Sequence, residues 1–124
     1  MADKLTHEEK KLLLQLARQA IETSVRGEKL PPLANFNLTD KLNHKGATFV
    51  TLTKSGNLRG CIGTLEPYLP LAEDVREHAV AAATQDYRFS PVQVDELTDL
   101  KIEISRLTLP QAMPGPFGQT AASG

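Results

Sequence analysis

Arg59 and Cys61 are the residues of this chain whose types and spacing most directly suggest chemistry. They stand two apart in the segment Leu58-Arg59-Gly60-Cys61-Ile62-Gly63. Strand geometry sends alternate side chains to opposite faces, so Arg59 and Cys61 are expected to project together, about 6–7 Å apart. A guanidinium near a thiol favours the thiolate, the better nucleophile and ligand. Leu58 and Ile62 are then core residues on the other face. Gly60 shares that face, where a missing side chain lets a helix pack closely. Gly63 can supply a turn with positive φ or let a ligand approach the backbone. The plainer reading makes Cys61 a small buried hydrophobe and Arg59 a residue that covers apolar surface with its stem.

A second pair, Asp86 and Arg88, flanks Tyr87. In a functional reading Arg88 grips an anionic group while Asp86 orients it or acts as a base. In the plain reading they hold a loop together by a local ion pair. Both are expected close to Cys61 in space, because the helix before them returns the chain to the strand ends. His78 falls on the apolar side of that helix, where a lone histidine is more often a satisfied core residue than a catalyst. His7 and His44 are isolated, and three histidines with one cysteine at unrelated spacings give no zinc pattern. Asp95, Glu96 and Asp99 read as a solvated acidic face. No P-loop, dinucleotide fingerprint or nucleophile elbow is present, and no cofactor is evident.

These residues need elements to hold them. Thr6 and Glu9 have capping-box spacing, and Leu13, Leu16, Ala17, Ala20 and Ile21 follow as one helical stripe. Gly27 and Pro31-Pro32 end that helix, and residues 33–45 read as a loop. Residues 47–53 and 58–64 read as two strands joined by a Ser55-Gly56-Asn57 turn. A second helix is expected over 70–84, with Leu71, Val75, Ala79 and Ala82 on its apolar face and Glu73 and Asp74 near its positive end. Residues 92–97 can hold a short helical turn. Leu100, Ile102 and Ile104 alternate as a half-buried strand, and the alternation slips near Arg106 as though at a bulge. From Pro110 onward periodicity is lost, and residues 110–124 read as a disordered or non-native tail.

The 124 residues suit one domain, and 40% hydrophobic with 23% charged residues is ordinary globular composition. A formal net charge of −1 without a basic run gives nucleic acid or an anionic membrane surface no evident hold. With no signal peptide, no spanning apolar run and a single cysteine, the expected setting is the cytoplasm.

Taken in order, Phe49-Val50-Thr51-Leu52, Gly56-x-Leu58-Arg59-Gly60-Cys61-Ile62-Gly63, Glu66-Pro67, Pro70-Leu71, Asp86-x-Arg88-Phe89-x-Pro91, Glu96-Leu97 and Ile102-x-Ile104-Ser105 resemble the AMMECR family. Its prokaryotic members are called AmmeMemoRadiSam system protein A. The resemblance covers about residues 12–109. It implies an α+β fold, with an antiparallel sheet, flanking helices and a cleft bearing the Leu-Arg-Gly-Cys-Ile-Gly hexamer. It also implies co-occurrence with Memo-type and radical SAM proteins. Carried onto this chain, the motif positions are Arg59, Gly60, Cys61, Gly63, Asp86 and Arg88. Family domains continue past the point where this match ends, so the resemblance implies a C-terminally truncated member, a partial domain over 6–109.

Three functions stay open. In one the chain is an enzyme or enzyme component of a radical-SAM-linked modification pathway, with Cys61 as nucleophile or carrier thiol, Arg59 binding an anionic substrate, and Asp86 or His78 assisting proton transfer. In another it is a non-catalytic module that binds a small anionic ligand or a partner protein. In the third it is an inactive fragment. A partial domain with a tail that packs on nothing is also expected to leave strand edges and apolar surface exposed, and to show low stability, self-association or poor solubility.

Overall fold

A computed structural model describes residues 4–107. Helix α1 (His7–Val25) opens on the expected capping box: the Thr6 hydroxyl accepts from Glu9 N–H, and the Glu9 carboxylate accepts from Thr6 N–H. Its expected stripe of Leu13, Leu16, Ala17, Ala20 and Ile21 is buried throughout. The stretch read as a loop carries two short helical pieces, a 3-10 turn (Leu33–Asn35) and α2 (Asp40–Asn43). Then follow β1 (Lys45–Lys54), β2 (Asn57–Gly63), the short β3 (Leu69–Pro70) and α3 (Leu71–Thr84). A 3-10 helix (Val94–Asp99) leads into β4 (Leu100–Leu107).

The architecture is α+β, as expected: a four-stranded antiparallel sheet with helices on one face. Strand β1 is central, paired with β2 and β3 on one side and β4 on the other. Its even-numbered residues Val50 and Leu52 face the helices, where α3 supplies Leu71, Val75, Ala79 and Ala82. The alanines let α3 approach the sheet closely. Helix α1 packs on α3, and its Arg18 donates to the carbonyls of Leu97 and Leu100 at 3.0 and 2.7 Å, fastening α1 to the start of β4.

The β1–β4 register runs without interruption from Lys54–Leu100 to Ala47–Leu107. No bulge lies near Arg106. Arg106 pairs with Thr48 on the helix-facing side, so its polar side chain breaks the apolar alternation while the backbone continues. The tail expected over 110–124 lies outside the described residues.

The β1–β2 turn sets Ser55 at φ 54° and Gly56 at φ 81°. A two-residue hairpin with two positive φ values prefers asparagine at the first position, because Asn tolerates the left-handed region better than Ser does. Ser55→Asn is therefore expected to stabilise the fold by about 0.5 kcal/mol, read as a higher urea midpoint at unchanged slope. An unchanged or lower midpoint contradicts that turn geometry.

Candidate functional site

The irregularity of the sheet lies in β2. Leu52 pairs with Gly60 and Thr53 with Leu58, which leaves Arg59 as the extra residue of a bulge. The expected alternation therefore fails at Arg59. Leu58 moves to the outer face and is 44% exposed rather than in the core. Arg59 turns to the segment after α3: Nε and Nη2 donate to the two Glu96 carboxylate oxygens at 2.9 and 3.2 Å, and Nη1 donates to the Ser90 carbonyl at 2.8 Å. Among the described residues no hydrogen bond or ion pair joins Arg59 to Cys61. Glu96, read as part of a solvated acidic face, is instead the counter-ion of Arg59, which holds its carboxyl below the usual glutamate range.

Beyond the bulge the pleat is regular. Cys61 sits opposite Thr51 on the outer face, with Sγ and the Thr51 hydroxyl 3.2 Å apart. In this pairing the Cys61 N–H points away from β1, at the edge of the sheet. It donates to Asp86 Oδ2 at 2.9 Å. Asp86 and Arg88 thus come to Cys61, as expected from the short return of the chain.

Asp86 is 4% exposed and nearly encircled by donors. Besides Cys61 N–H, its oxygens accept from Arg88 N–H at 3.1 Å, Arg88 Nε at 3.0 Å and Arg88 Nη2 at 2.8 Å. The Arg88 guanidinium first, then the Cys61 N–H, hold this carboxyl well below the usual aspartate range. A carboxylate so occupied is a poor proton acceptor. The expectation of Asp86 as a base gives way to a brace that ties the Tyr87 turn to β2. It also takes the N–H that a foreign strand would need at this edge. The hydrogen bonds to Asp86 in turn raise the Arg88 pKa. Cys61 N–H and Arg88 Nη2 donate to the same oxygen, Asp86 Oδ2, so Arg88, not Arg59, is the arginine joined to Cys61 through a shared partner. Its side chain is 47% exposed and lies over the Phe89 ring, 5.4 Å from Cζ to the centroid.

The two hexamer glycines serve packing. A Cβ on Gly60 would lie 2.2 Å from the Ala82 carbonyl oxygen, so this glycine admits α3, as expected. A Cβ on Gly63 would lie 2.3 Å from the Phe49 ring and 2.6 Å from the Thr48 carbonyl oxygen. Gly63 has no positive φ. The space over it holds an aromatic ring, so a turn or a ligand approach there is not what forms.

His78 belongs to a different cluster, on the helix-facing side. Its Nδ1 lies 3.1 Å from Asp74 Oδ2, the oxygen that also accepts from Thr48 N–H at 2.9 Å and the Thr48 hydroxyl at 2.7 Å. This is the satisfied histidine of the plain reading. In the sequence Asp74 shows only as an acidic residue at a helix start; in the fold it is 1% exposed and bonds across to β1. Its four-residue spacing from His78 was the available signal. Thr51 was legible as a strand residue, but its partner depended on register. A groove of about 350 Å³ lies between α1 and residues 37–39, floored by Leu12 and Gln15, and includes none of the residues around Cys61.

Three carboxyls sit below their ordinary values: Asp86 through Arg88, Glu96 through Arg59, and Glu9 chiefly through the Thr39 hydroxyl. A group whose folded pKa is depressed adds stability above its unfolded pKa and loses it as pH falls through the folded value. Stability is thus expected to be flat from neutrality to about pH 5 and to fall progressively below about pH 4. Melting temperature against pH checks this, and Asp86→Asn should flatten the acid limb. An unchanged limb in that variant contradicts the assigned brace.

The AMMECR1 family profile matches residues 14–121. The chain belongs to the AMMECR1 family. The match runs past Leu109, where the motif resemblance was expected to end. A protein of Methanothermobacter thermautotrophicus is 45% identical over 109 residues, covering 88% of this chain and 56% of its own length. A protein of Methanosarcina barkeri is 41% identical over 114 residues, covering 90% of this chain and 56% of its own. The crystal structure of the uncharacterized protein PH0010 from Pyrococcus horikoshii superposes with a TM-score of 0.77 at 36% identity, over 90% of this chain and 57% of that one. The chain spans about half the length of the curated relatives it matches. Among the described residues no helix is long and apolar enough to cross a membrane.

Proposed function

We propose that this AMMECR1-family chain binds a small anionic ligand at the Cys61–Arg88 edge of its sheet, without acid–base catalysis of its own. One observation carries the reading: a half-exposed guanidinium shares Asp86 Oδ2 with the N–H of the chain's single cysteine, while the carboxylates nearby are already engaged. Arg88 binds Asp86 through Nε and Nη2, and Nη1 has no hydrogen-bond partner among the described residues. That nitrogen is the natural first contact for a carboxylate or phosphate oxygen. Cys61 then lies next to the bound group, held by the Asp86 brace.

A second reading is favoured by the same arrangement. A cation beside a thiol promotes the thiolate, so Cys61 can serve as a nucleophile or carrier in a radical-SAM-linked pathway. In it a Memo-type or radical SAM partner supplies the missing proton-transfer groups. A reducing cytoplasm suits both readings, since each needs the thiol free.

Alkylation of Cys61 with anionic iodoacetate and neutral iodoacetamide tests the ligand reading. The iodoacetate/iodoacetamide rate ratio, taken relative to an unstructured cysteine peptide, should be raised about three- to fivefold at low salt, fall as salt screens Arg88, and collapse in Arg88→Gln. A ratio equal to the peptide's and insensitive to salt rejects anion capture. Because salt dependence is read on the unaltered chain, the test survives a poorly folded variant.

A further inference from the structure

The two edges of the sheet are treated differently. At β2 the Cys61 N–H is taken by Asp86, and Arg59 reaches the Ser90 carbonyl alongside. At β4 the Leu100 carbonyl is covered by Arg18 Nη2, and beyond it no hydrogen bond covers Ile102 or Ile104 among the described residues. The register shows which groups face outward there. Cys61 points away from β1, so Thr51 opposite it points toward β4, and Glu103 opposite Thr51 points back. Ile102 and Ile104, of opposite parity, therefore present their N–H and C=O groups to the free edge. The strand is eight residues long, contains no proline and pairs with β1 without a bulge, so it lacks several devices that blunt an edge.

We propose that this edge pairs with the same edge of a second copy of the chain, joining the two sheets antiparallel across a twofold axis at Ile102. This surface is separate from the Cys61 site. Charge selects the occupant and the register. With Ile102 opposite its own copy, each exposed Lys101 meets the exposed Glu103 of the other chain, twice across the axis. Leu100 then stands opposite Ile104 on the helix-facing side. Shifting the axis by one residue in one direction sets Glu103 against Glu103, and in the other Lys101 against Lys101. Both neighbouring registers thus place like charges face to face.

The Leu100 N–H already donates to the Leu97 carbonyl and its C=O already accepts from Arg18 Nη2, so the Leu100–Ile104 pair makes one bond on each side only through the second lone pair of that carbonyl. The central Ile102 pair makes two to groups with no other partner, and the two shared Leu100 carbonyls bring the total to four. Helix α1 carries a second sign. Arg18 fastens α1 at the start of β4, and Leu14, one turn before it on the same flank, is 42% exposed. A copy added at β4 would stand beside this leucine.

Sedimentation equilibrium of the full chain at low salt, with two surface variants, decides the matter. The chain should dimerise with rising concentration. Lys101→Glu should weaken the dimer about tenfold, and Lys101→Glu combined with Glu103→Lys should restore it to within about twofold. Hydrogen exchange should protect the Ile102 and Ile104 amides only at concentrations where the dimer forms. A chain monomeric at every concentration overturns the proposal. So does a dimer indifferent to both charge changes. Amides protected in the monomer would also overturn it, since the chain's own residues would then cover the edge.

Discussion

Gly60→Ala is expected to remove a large fraction of the stability of the fold. The added methyl would lie 2.2 Å from the Ala82 carbonyl oxygen and 3.1 Å from its carbon, both main-chain atoms that no rotamer change can move aside. Relief requires parting β2 from α3, which carries the buried Leu71, Val75, Ala79 and Ala82. The loss should reach about 3 kcal/mol, the upper range for overpacking, against a typical total of about 5–15 kcal/mol. Gly27→Ala is the control. Gly27 has φ 77° but nothing within 4 Å of its Cβ position, so only backbone strain of about 1 kcal/mol applies. Urea unfolding of the two variants separates steric exclusion from conformational preference. Ala82→Gly should not rescue Gly60→Ala, because the clash is with a carbonyl and not with the Ala82 side chain. A Gly60→Ala protein as stable as the Gly27→Ala control would refute the close approach of α3 to the hexamer.

Asp74→Ala should destabilise the fold by about 3 kcal/mol through a different mechanism. Thr48 is fully buried, and both its N–H and its hydroxyl donate to Asp74 Oδ2. Removing the acceptor strands two buried donors and deprives His78 Nδ1 of its partner. Asp74→Asn keeps a carbonyl oxygen there and should lose roughly half as much. Thr48→Val removes the hydroxyl that needs Asp74, so the double variant should be less destabilised than the sum of the singles. Strict additivity in that cycle would show that the two residues do not interact.

Several features of this protein were decided by its sequence alone, and all of them are local. The Thr6–Glu9 box, the α1 stripe, the Ser55-Gly56 turn and the Asp86–Arg88 pair join residues at most four positions apart, or repeat with the period of one element. For such features spacing is geometry, because helix and strand periods place the partners without help from the rest of the chain. The motif order also carried the family assignment, and with it the α+β fold.

Tertiary structure decided what Arg59, Cys61 and Asp74 touch. One extra residue in β2 reverses the alternation on which the Arg59–Cys61 pairing rested. Whether a strand accommodates such a bulge depends on its partner's register and on the helix behind it. The bonds that define the site then span long stretches of chain: 25 residues from Cys61 to Asp86, 37 from Arg59 to Glu96 and 26 from Thr48 to Asp74. A buried donor takes whichever acceptor the packed elements bring to it, since leaving it unsatisfied costs more than any local preference can offset. That requirement joined Cys61 to Arg88 through Asp86 and left Arg59 to Glu96.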